Sequence, residues 1–188
     1  MVSENLAEAL ARSEETIAIT KALADRDSQN AEWMREYVDA LNTYALVQLS
    51  KRDLAASIKA FTEAIRISQD LITKDEGNAT MRRFLSNILA NTSDVLFQLN
   101  EKDKALTVLS RSVNLKRELH ATDTDNVTWN YELSLALVKL GRSQFVLKKF
   151  DDAFVSFNDA RNRMQKLLGL DPANALRRWT LLDCVMTM

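Results

Sequence analysis

Apolar residues recur three and four positions apart over stretches of about twenty residues. Leu54, Ile58, Phe61, Ile65 and then Ile72 mark one such stripe, the spacing that gathers side chains on one face of an α-helix. Polar breaks separate the stripes: SKRD at 50–53, NEKD at 100–103 and LKKFDD at 147–152. The pattern predicts first helices over 31–50, 79–98 and 127–147, and second helices over 53–73, 102–121 and 150–169. Flanking helices at 4–24 and 175–188 bring the expected total to eight, with no strand.

The stripes repeat. Leu23, Leu71, Leu119 and Leu167 are spaced by 48 residues, as are Asp27, Asp75, Asp123 and Asp171, and Asn30, Asn78, Asn126 and Asn174. Repetition at a fixed period is the mark of a stacked array. The units read as a half repeat at 4–26, whole repeats at 27–74, 75–122 and 123–170, and a half repeat at 171–188. Small residues form columns at Ser57, Ala105 and Ala153, at Ala64, Ser112 and Ala160, and at Ala45, Ser93 and Gly141. Small side chains at crossing points let helix axes approach closely. Phe61, Leu109 and Phe157 then fill the space between hairpins. In each turn the Asn is expected to cap the next helix by accepting an orphaned backbone N–H, with the Asp closing a side-chain turn before it. Gly77 and Gly169 read as helix-end glycines.

At these columns the chain resembles the tetratricopeptide repeat (TPR) family. Repeat three carries the pattern best, in Leu137, Leu140–Gly141, Ala153, Phe157 and Ala160; repeat one keeps Leu41, Ala45, Phe61 and Ala64. The repeat is longer than the usual 34 residues, similar to a long-helix variant whose repeats open NAEW, here NAEW at 30–33, NATM at 78–81 and NVTW at 126–129. The resemblance implies an all-α, right-handed α-solenoid of antiparallel helix pairs, with partner contacts along a concave surface of first helices. Carried to this sequence, that surface holds Asp39, Asn87 and Leu135; Asn42, Ala90 and Val138; Leu46, Asp94 and Arg142; and Leu49, Phe97 and Phe145. The column of Arg35, Arg83, Tyr131 and Trp179 is read as facing the same way. About half of these positions are expected to be inter-helix core, by the burial habits of Leu and Phe. The Lys and Asn clamp with which some family members hold C-terminal carboxylates is absent, since Asn42 and Leu46 stand at its place.

Composition agrees with the helical reading. Three Gly and one Pro in 188 residues are far below the roughly 13 and 9 of average usage. Net charge is −1, which recommends neither nucleic acid nor a membrane surface as a partner. Charges every few residues in MVSENLAEALARSEETIAI argue against a secretory signal. No stretch approaches the ~18 apolar residues of a membrane span. The single cysteine, Cys184, cannot form an internal disulfide. Together these features suggest a cytoplasmic protein.

Candidate chemistry is sparse. His120 and Cys184 are more than one repeat apart, too far for a nucleophile and its base. They cannot assemble a zinc site, and no Gly-rich loop is present to cradle a phosphate. We therefore expect no enzyme, no metal and no cofactor, with His120 a surface residue near a helix C-terminus. The pairs Lys51–Arg52, Arg82–Arg83, Lys116–Arg117, Lys148–Lys149 and Arg177–Arg178 read as solvated surface. The last helix carries Trp179, Leu182, Val185 and Met186 with no polar cap after it. Either the chain is part of a longer array, the preferred reading, or that end meets a second copy as a homodimer. The sequence thus suggests a non-catalytic scaffold presenting a groove to a protein or peptide. The alternative is a regulatory or sensory arm of a larger bacterial enzyme whose catalytic domain lies elsewhere.

Overall fold

The computed structural model describes the backbone of residues 2–186 and the side chains of residues 5–182. It contains α1 (Val2–Arg26), α2 (Ala31–Ser50), α3 (Leu54–Lys74), α4 (Ala79–Gln98), α5 (Lys102–Thr122), α6 (Val127–Val146), α7 (Phe150–Leu170) and α8 (Ala175–Met186). No strand occurs among the described residues. The even-numbered helices begin at 31, 79, 127 and 175, and α3, α5 and α7 at 54, 102 and 150.

The chain divides into two compact units, Met1–Ala105 and Leu106–Met188, with the division inside α5. In the first, α2 packs on α1 and α3, and α4 packs on α3 and touches α2. Val38, Leu41, Ala45, Phe61, Ala64 and Ile67 lie at the centre of its core. The Ser57 hydroxyl donates to the Ala45 carbonyl at 2.8 Å, buried between α2 and α3. This cross-helix bond needs the close approach that the small columns permit.

In the second unit α7 packs on α6 and α8. Phe157 is 1% exposed, with Leu133, Leu137, Met164 and Leu167 equally enclosed. A Cβ built on Gly141 would stand 2.8 Å from Phe157 Cε1, so the Phe ring lies where that side chain would be. Ser156 Oγ donates to Gln144 Oε1 at 2.7 Å, tying α6 to α7. Both units are thus built of antiparallel helix pairs with small-residue crossings, a TPR-like arrangement.

The turns between repeats follow the expected chemistry. Asn30 accepts from the backbone N–H of Glu32 and Trp33, Asn78 from Met81, Asn126 from Trp129 and Asn174 from Arg177. The N–H of each Asn donates to the carbonyl of the Asp three residues earlier. Asp27 accepts from the Gln29 N–H, and Asp123 and Asp171 from the side-chain amides of Asn126 and Asn174.

Gly169 is the last-but-one residue of α7 and Gly77 lies in the turn after α3, both at helix ends as expected, but neither has the positive φ of a left-handed cap. The left-handed residues are instead Arg52, Asn100 and Lys148, with φ of 64°, 60° and 59°. Each sits in the hairpin turn within a repeat. There the N–H of Arg52 donates to the Leu49 carbonyl, and that of Asp53 to the Gln48 carbonyl. Asn100 with Glu101, and Lys148 with Lys149, repeat the pattern. This paired bonding is a Schellman closure, and its geometry demands the left-handed residue whatever the side chain. Asn suits the position; Arg52 and Lys148 occupy it at a cost of about 1–2 kcal/mol each.

The residue after each left-handed position caps the following helix. Asp53 does so with its side chain, accepting from the Ala56 N–H at 3.0 Å, whereas Lys149 makes no side-chain cap bond. Lys149→Asp should therefore stabilise the chain by about 1 kcal/mol, and Asp53→Lys should cost a similar amount. Urea melts of the two variants should move in opposite directions; movement in the same direction would show that capping does not govern these turns.

Candidate functional site

The first-helix surface is described within each unit. On α2, Arg35 and Asp39 are exposed, and Arg35 Nη2 lies 2.7 Å from Glu36 Oε1. One turn on, Asn42 is half-buried and accepts a long 3.4 Å bond from the Asn91 amide of α4. Arg83 and Asn87 of α4 are exposed, while Asp94 is half-buried. Leu46 is partly open beside them. In the second unit, α6 presents Leu135 and Arg142 to solvent with Tyr131 half-buried. Val138, of the same rows, is 5% exposed and belongs to the core. The face mixes amides, both signs of charge and a few apolar side chains. Neither sign of charge dominates it.

Sequence reasoning missed an apolar patch at the α6–α7 turn. Phe145, Val146, Phe150 and Phe154 are each more than half exposed. The rings of Phe145 and Phe150 meet edge-on with centroids 5.3 Å apart. On α8, Trp179 is 72% exposed, and Leu176 and Leu182 are open as well. The side chains of Cys184, Val185 and Met186 lie outside the described residues.

Two corrections concern polar groups in the second unit. Lys116 is not solvated surface: it is 6% exposed, with its ammonium 3.5 Å from Glu132 Oε2. Adjacent helix positions point about 100° apart. Thus Lys116 turns inward to α6, while Arg117 stays at the surface, 3.5 Å from Asp159.

His120 is the second correction. It lines a polar cleft of about 600 Å³ bounded by the end of α5, the start of α6 and the second half of α7. Its Nδ1 is sealed from solvent and has no hydrogen-bond partner among the described residues. Arg163, across the cleft, donates from Nε to Asp159 at 2.8 Å and from Nη1 to Asn130 at 3.1 Å. Burial, reinforced by the Arg163 charge, holds the His120 pKa below its usual value, while Asp123 and Asp159 pull the other way.

A depressed His pKa means that the unfolded chain takes up the proton first on acidification. Stability should therefore fall as pH drops from the ordinary histidine pKa, near 6.5, towards the lower folded value, and level off below it. Thermal melts between pH 7 and 5 should show this component, and His120→Gln should remove it. An unchanged pH slope in the variant would contradict the burial argument.

The first unit carries an apolar counterpart of about 440 Å³, where Tyr37, Leu41 and Tyr44 form a floor between Ile17 of α1 and Ala60 of α3. Burial raises the Tyr37 phenol pKa. Among the described residues no group of three or more His, Cys, Asp or Glu side chains could hold a metal ion, and no helix is long and apolar enough to cross a membrane.

No protein-family model and no curated protein matches the chain. Among solved structures it is similar to a crystal structure of MamA, with 15% identity over 91% of this chain and 85% of that one and a TM-score of 0.38. It is also similar to a tetratricopeptide repeat protein from Parabacteroides merdae ATCC 43184, at 14% identity, 98% and 74% coverage and a TM-score of 0.33. A third similarity is to MamA 41-end from Desulfovibrio magneticus RS-1, at 13% identity, 93% and 90% coverage and a TM-score of 0.31.

Proposed function

We propose that the chain is a non-catalytic interaction scaffold whose first-helix surfaces receive a protein or peptide segment in the cytoplasm. The observation that supports this reading is the contrast between the two sides of these helices. Ala40, Leu41, Leu85, Ile88, Leu133 and Leu137 are buried, while Arg35, Asp39, Arg83, Asn87, Leu135 and Arg142 of the same helices stand in solvent. Polar, half-apolar rows on a rigid helical frame suit reversible recognition of a segment. The repeats 27–74, 75–122 and 123–170 are its modules, flanked by the half repeats. A photo-crosslinking residue at Asp39, Asn87 or Leu135 should capture a partner that the same residue at Thr62 or Gln165 does not. Equal capture from both sets would end the reading.

The exposure of Leu176, Trp179 and Leu182 on α8 supports a second contact, with another copy of the chain, centred on Trp179. Light scattering should show association that Trp179→Glu abolishes; a monomeric wild type would refute it.

A further inference from the structure

We propose that the polar cleft beside His120 binds a small amino-carboxylate zwitterion, its carboxylate on Arg163 and Lys166 of α7 and its ammonium on Asp125 of the turn before α6. The cleft's lining residues include two cations, Arg163 and Lys166, and two carboxylates, Asp125 and Asp159. A balanced lining gives no field to concentrate a polyanion. It suits a ligand that carries both charges itself.

The two signs are distributed unevenly. Arg163 and Lys166 stand three apart on α7, hence on one face of that helix. Arg163 is already oriented by Asp159 and Asn130 through Nε and Nη1, which leaves Nη2 to complete a fork on a carboxylate. Asp159 is occupied, since Arg117 approaches it as well as Arg163. Asp125 is the remaining acid, it comes from a different wall, and neither it nor Lys166 makes an ion pair among the described residues. The cleft thus separates one uncommitted cation from one uncommitted anion.

His120 is one of the residues lining the same cleft, so a ligand seated between α7 and the turn lies beside its ring, although Nδ1 itself is sealed from solvent. At about 600 Å³ the space is within the range of small-molecule sites.

His120 is the only histidine, so its ring resonances in the isotope-labelled full chain report on this cleft alone. The probes are the proteinogenic amino acids, one at a time, up to about 10 mM, ten times a millimolar Kd. At least one should shift the His120 signals saturably. Lys166→Gln and Asp125→Asn, both at exposed positions, should each weaken that binding about tenfold or more, the equivalent of about 1.4 kcal/mol. Acetylating the amino group of the same ligand should weaken binding to the wild type as much as Asp125→Asn does. No saturable shift from any amino acid, an equal shift from inorganic phosphate, or undiminished binding by either variant would overturn the assignment. Unchanged His120 resonances in the ligand-free variants establish that the cleft is intact.

Discussion

Phe157→Ala is expected to destabilise the second unit by about 3–5 kcal/mol, the cost of deleting a large side chain from an enclosed site. Phe157 is sealed on all sides by the α6–α7 pair and its neighbours, and Gly141 brings the α6 backbone directly against its ring. Rigid helix backbones on both sides prevent the site from collapsing to fill the void. Asn126→Ala, which removes one cap bond to the Trp129 N–H, should cost only about 1 kcal/mol. Urea melts followed by circular dichroism would rank the two. Equal losses, or the reverse order, would show that the Phe column is not what holds the hairpins together.

Gly141→Val should cost about 1–3 kcal/mol by overpacking. The new Cβ would meet Phe157 Cε1 at 2.8 Å and Cδ1 at 2.9 Å. Phe157 is 1% exposed, so its ring can shift only by displacing close-packed neighbours. The change removes a helix-interior glycine, which alone would favour folding by at most about 1 kcal/mol, so the net sign is set by the clash. Gly169 supplies the control. It is also helical, but a Cβ there meets nothing within 4 Å, so Gly169→Ala should stabilise by about 0.5–1 kcal/mol. Thermal melts in which both substitutions act in the same direction would contradict the packing argument.

What was legible in the sequence follows from which forces are local. Helix limits were readable because caps and apolar spacing are local chemistry: Asn30, Asn78, Asn126 and Asn174 open their helices as their residue type demands. The left-handed turns were not, because Arg52 and Lys148 are held there by the Schellman bonds rather than by a residue suited to positive φ. Gly169 stands at the end of α7 as its type suggests, but with helical backbone angles rather than a left-handed cap. Val138 and Lys116 show the limit of reading rows along a helix: a shift of one position turns a side chain from solvent to a neighbouring helix. The His120 cleft was beyond reach, since it forms only where α5, α6 and α7 meet, and Arg163 is 33 residues along the chain from Asn130.

The central claim is that a partner is held by the outward rows of the first helices. The direct measurement is the affinity of a crosslink-identified partner for the chain carrying Asn42→Lys and Leu135→Glu, beside a control carrying Thr62→Lys and Gln165→Glu, with helicity checked in both. The account predicts a loss of about tenfold or more, roughly 1.4 kcal/mol, in the first chain and none in the control. Unchanged affinity in the first chain, or loss confined to the control, would contradict it.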